Sequence, residues 1–110
     1  MKNCIRVLTA AFMMAITHQA AAYDAIADVK ITQIELTYMP QHIVFWADRA
    51  VGSCPAGAML DWVPQNSTQS WKDQNAQAVL AALMTAKTTG ASMRLFIINS
   101  GCRVEYIYLL

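Results

Sequence analysis

The sequence predicts a mainly β domain of five short strands, with one helix between the third and the fourth. Three observations predict it. Runs of β-branched and aromatic residues, each bounded by turn residues, occur before Pro64 and again after Gly90. The segment between them, Ser70 to Thr89, switches to helical periodicity. Finally, Cys54 and Cys102 stand on either side of that segment, a spacing that suits a covalent staple for a small core.

From Val29 to Tyr38 the strand pattern changes phase. Val29 and Ile31 share one face, and Ile34, Leu36 and Tyr38 take the other, which predicts a bulge or strong bend near Thr32 and Gln33. Met39-Pro40-Gln41 reads as a turn into a second strand, His42 to Asp48, rich in β-branched and aromatic residues. A loop holding Gly52, Cys54, Pro55 and Gly57 leads to a third short strand around Met59 to Val63, which Pro64 ends. The helix carries an apolar stripe of Ala76, Val79, Leu80, Leu83 and Met84. Ser70 with Asp73 fits a capping box at its start, Asn75 is a second candidate cap, and Gly90 is placed to terminate it. Ser92 to Ile98, apolar on both faces, reads as a central strand. Asn99-Ser100-Gly101 then turns the chain into a last strand, Arg103 to Leu110.

The start of the chain has the layout of an export signal. Lys2 and Arg6 precede an apolar run from Val7 to Ile16, which is too short to span a bilayer, and Ala20-Ala21-Ala22 offers a cleavage site before Tyr23. Residues 1–22 are therefore expected to be a signal peptide and residues 23–110 a single secreted or periplasmic domain with no integral membrane segment. Lys2 and Arg6 leave with the signal, so six basic residues face seven acidic ones. That near-neutral balance provides no electrostatic footprint for nucleic acid. In an oxidising compartment Cys54 and Cys102 are expected to pair, and closing that loop stabilises the fold by roughly 4 kcal/mol on the chain-entropy model.

No nucleophile with its base, no paired carboxylates at a defined spacing and no metal-ligand cluster stand out, so neither an enzyme nor a metal or cofactor is expected. His42, the one histidine after the signal, has no obvious partner. Trp46, Trp62 and Trp71 read first as core or interface residues and second as a stacking platform, with Trp71, off the apolar stripe, the most exposed. Asp28, Asp48 and Glu105 read as solvated carboxylates or as acceptors for sugar hydroxyls. Asn66-Ser67-Thr68 matches a glycosylation acceptor but reads as a polar loop before the helix.

The order strand, strand, strand, helix, strand, strand is that of an OB-fold, a five-stranded Greek-key barrel whose closure requires a bent first strand. Val29-x-Ile31-Thr32-Gln33 resembles the start of the first strand of the B subunits of AB5 toxins in the subtilase cytotoxin and pertussis-like typhoid toxin group. Thr88-Thr89-Gly90-x-x-Met93-Arg94-Leu95 resembles their helix end running into the fourth strand. The resemblance extends over about Val29 to Ile98. It implies a ring of five identical subunits that carries an enzymatic A subunit and binds sialylated glycans on host cells.

The family's glycan-contacting serine falls on Ala27 and its fourth-strand tyrosine on Ile97, and the cysteine of its second strand is absent. Asp28, Arg94 and Trp71 are the candidate glycan-binding residues here. The alternative is a stand-alone periplasmic or secreted OB-fold binding or inhibitor protein without a toxin partner. The apolar last strand, Val104 to Leu110, predicts a homo-oligomer under either reading, because one small barrel cannot readily bury it.

Overall fold

The structure, a computed structural model, describes residues 22–110. The expected signal peptide lies outside the described residues, apart from Ala22. The domain is mainly β, a sheet of six strands curled into an open half-barrel with one helix. In chain order the elements are β1 (Ala25–Val29), β2 (Ile31–Glu35), β3 (Ile43–Ala47), β4 (Leu60–Trp62), α1 (Gln69–Thr89), β5 (Met93–Ile98) and β6 (Arg103–Leu109). The strands lie in the order β1-β5-β6-β4-β3-β2. Neighbours are antiparallel except β4 and β6, which run parallel.

Six strands replace the expected five because the first is divided at Lys30. Its first half pairs with β5 and its second half with β3, so the outermost strands of the sheet are consecutive in the chain. Lys30 stands between two partners. Its N–H donates to Asp48 Oδ1 at 2.8 Å, and its Nζ donates to the carbonyl of Gly90 at the end of the helix. The expected irregularity is present one step further on, where the register with β3 shifts between Ile31 and Gln33.

Strand pairing ends earlier than the alternation suggests. The chain turns after Glu35, so Leu36 and Tyr38 are exposed rather than part of a strand. Thr37 N–H donates back to Glu35 Oε1 at 2.7 Å, and Gln41 N–H donates to Tyr38 O at 2.9 Å, bonds that hold a turn in place of a ladder. Pro40, joined to Met39 by a cis peptide bond, has no N–H to give a strand.

The core is built from alternate residues of the central strands. Met93, Leu95 and Ile97 of β5 point inward with Val29, Ile43, Phe45 and Val104, all buried. The helix covers this layer through Ala76, Leu83 and Ala86, with Val79, Leu80 and Ala82 partly buried. Met84, expected on the stripe, is exposed. It lies one step from Leu83, about 100° round the helix, while Ala86 continues the line at i+3. Small alanines near both ends of that line let the helix approach the sheet.

The helix start also differs from expectation. Thr68 is the N-cap, with extended backbone, and its hydroxyl accepts from Trp71 N–H at 3.3 Å. The expected caps are engaged elsewhere: Asp73 accepts from the Gln69 side chain, and Asn75 Oδ1 accepts from Gln65 N–H. Gly90 terminates the helix in the left-handed region, as expected, with its N–H on the carbonyl of Ala86.

The Sγ atoms of Cys54 and Cys102 lie 2.06 Å apart, joining the loop after β3 to the turn between β5 and β6. The same loop is fixed by Ser53 N–H donating to Asn99 Oδ1 and by a short bridge between Val51 and Cys54. Gly52 has a positive φ, and a Cβ there would sit 2.3 Å from Asn99 Oδ1, so only glycine fits where loop and turn meet.

Candidate functional site

The alternation that buries Met93, Leu95 and Ile97 puts Arg94, Phe96 and Ile98 on the outer face of β5. Register then decides their neighbours. Asp28 lies opposite Arg94 and Ile26 opposite Phe96 on β1, while Tyr108 and Tyr106 lie opposite the same two residues on β6.

Arg94 and Asp28, both half-exposed, form a two-pronged ion pair, Nε to Oδ1 at 2.8 Å and Nη2 to Oδ2 at 3.0 Å. The guanidinium's hydrogen bond holds the Asp28 carboxyl below its ordinary range, and Asp28 in turn raises Arg94 further. Both are therefore charged at neutral pH. Beside them Phe96 is the hub of an aromatic cluster: Tyr23, Tyr108 and Tyr106 meet it edge-on at 4.9, 5.1 and 5.8 Å between ring centroids.

Ile26, Ala27, Asp28, Arg49, Arg94 and Phe96 line an open groove of about 540 Å³ on this face. It is larger than two other depressions, one of about 220 Å³ between α1 and β6 and one of about 190 Å³ near Pro40 and Pro64. Arg49 enters the groove from the loop after β3, its Nη2 3.4 Å from Asp48 Oδ2. Asp48 also accepts from Lys30 N–H, the main cause of its lowered pKa.

Of the residues singled out in the sequence, Asp28 and Arg94 come together and Trp71 does not join them. Trp71 stands exposed on the first turn of α1 and is not among the residues lining the groove. Trp62 is core, and Trp46 is half-buried. Ala27 has only a methyl group, and Ile97 is fully buried.

Asp28, Asp48 and Glu105, read from the sequence as solvated carboxylates or as acceptors for sugar hydroxyls, each have a partner within the chain. Asp28 and Asp48 are bonded as described, and Glu105 lies 3.1 Å from Arg103 and accepts from the Gln65 side chain. His42 likewise has a partner: its Nδ1 lies 2.7 Å from Asp61 Oδ1 and its ring rests 5.0 Å from that of Tyr38.

Phe96 and Arg49 were not singled out by sequence reasoning. Phe96 is two residues from Arg94 in one strand, so alternation placed both on one face. Arg49 carries no such signal, because it reaches the groove from a loop.

Among the described residues no group of His, Cys, Asp and Glu side chains is arranged to hold a metal ion, and no helix is long and apolar enough to cross a membrane. No protein-family model, curated protein or solved structure matches the chain.

Proposed function

We propose that the chain is an exported, non-enzymatic binding subunit. In this reading it has an OB-type barrel whose first strand is β1 and β2 together, and it recognises glycans in the groove of Asp28, Arg49, Arg94 and Phe96. The observation that carries this reading is the groove's composition. An aromatic ring beside a fixed carboxylate and guanidinium suits a sugar, which has an apolar C–H face and a rim of hydroxyls.

The resemblance to AB5 toxins adds the setting: a secreted ring of five that presents glycan sites to host cells and carries an enzymatic A subunit. A stand-alone exported binding or inhibitor protein is the second reading. The burial of Ile97 and the bare methyl of Ala27 favour it, since the family's own sugar contacts are not reproduced.

The test is a glycan array carrying sialylated and neutral structures, probed with the oxidised mature protein. Retention of a subset of glycans is expected. Arg94→Ala should weaken it by about tenfold or more, the loss of charge-assisted hydrogen bonds, while Trp71→Ala binds as wild type. A blank array on which a related B subunit binds would move the assignment to the second reading.

A further inference from the structure

We infer that the groove takes an uncharged, hydroxyl-rich ligand, such as a neutral pyranoside end group, and turns away one bearing a carboxylate, with Asp28 setting that selectivity. The inference rests on the reading of the groove as a glycan site and specifies its substrate class.

A guanidinium recognises a carboxylate through two parallel N–H donors on one edge. On Arg94 the edge made by Nε and Nη2 is already occupied by Asp28 at 2.8 and 3.0 Å, and a carboxylate on the remaining Nη1–Nη2 edge would lie beside the Asp28 charge. Arg49 has Asp48 at 3.4 Å and also faces Asp28, whose charge it helps to stabilise. Each of the two guanidinium groups that line the groove thus has an internal carboxylate beside it. A ligand carboxylate would have to displace Asp28 or settle beside it, and like charges at that range are unfavourable.

What remains unused suits hydroxyls. Each Asp28 oxygen accepts one bond from Arg94 and can accept another, and Arg94 keeps both Nη1 donors and the second donor of Nη2. A vicinal diol both donates and accepts, so it can bridge the ion pair without breaking it. Ile26 and Phe96 supply an apolar floor for the C–H face of the ring.

The experiment compares immobilised neutral glycans with their uronate and sialylated counterparts, using the oxidised mature protein and Asp28→Asn. The variant keeps the side chain's shape and removes its charge. Wild type is expected to prefer the neutral member of each pair by about tenfold or more. Asp28→Asn, which leaves Arg94 without its anion, should lose that preference or reverse it.

Preferential retention of the acidic members by wild type would overturn the inference while leaving the groove a glycan site. An unchanged preference in folded Asp28→Asn would overturn the role of Asp28. Absence of binding by both proteins would overturn the glycan reading itself and the inference with it. Circular dichroism checks the variant's fold, and Arg49→Gln provides a second arm. Removing that cation should sharpen the neutral preference, and a shift toward acidic glycans would count against the inference.

Discussion

Replacing Cys54 and Cys102 together by alanine is expected to lower the unfolding free energy by about 4 kcal/mol. The two residues are 48 apart in sequence, and the loop they close contains β4, α1 and β5. Cross-linking so long a loop removes much of the unfolded chain's freedom, and the effect is large beside the stability of so small a domain. The loss also reaches the groove. Arg49 sits in the loop that the disulfide, the Ser53–Asn99 bond and the close fit of Gly52 together hold against the turn after β5. Urea unfolding of the oxidised wild type and the double variant measures the difference. A midpoint unchanged between them would show that packing and hydrogen bonds alone hold the loop.

Leu109→Lys is expected to convert a homo-oligomer, a pentamer on the AB5 reading, into a folded monomer. β4 pairs with β6 only at Arg103 and Val104. From Ile107 to Leu109 the edge of β6 away from β5 has no strand partner among the described residues. Tyr106, Tyr108, Leu109 and Leu110 are each more than two-fifths exposed. Natural edge strands carry charges, prolines or bulges that block pairing with another chain. This one has its bulge at Glu105, where β5 and β6 slip register, and none of these devices beyond it.

A second copy covering the strand resolves the exposure, and a charge placed within the covered stretch costs about 2–4 kcal/mol at each interface. Tyr108→Lys should act in the same direction while also removing a ring from the Phe96 cluster. Light scattering at micromolar concentration separates the states. A wild type that remains monomeric would remove the ring and most of the toxin reading. No residue of β6 is among those lining the groove of Asp28, Arg49, Arg94 and Phe96.

What could be read from the sequence was set by local chemistry. β-Branched runs gave β3 and β5, Gly90 gave the helix end, the broken alternation gave the irregularity after Ile31, and two cysteines after the expected signal gave the staple. The departures have equally local causes. β1 begins at Ala25, four residues before the expected strand, because Ala25 and Ala27 carry little β signal and are held there by pairing with Ile97 and Leu95. Thr68 displaced Ser70 as cap because the helix begins at Gln69, two residues before the Trp71 start that a Ser70 cap implies.

The candidate site was legible only in pieces. Asp28 and Arg94 were named singly, and their contact depends on a register between residues 66 positions apart. The pairing of His42 with Asp61 is of the same kind, made by adjacent strands rather than by spacing along the chain. Trp71 was legible as exposed, but exposure did not bring it to the groove.

A crystal structure of the oxidised mature protein, soaked with the glycan that the array retains best, tests the central claim most directly. The sugar should lie on the outer face of β1 and β5, its ring against Phe96 and its hydroxyls on Asp28 and Arg94, with the ion pair intact. A sugar bound elsewhere, at the helix start beside Trp71 for example, with the groove empty, would contradict the assignment of this face as the binding site.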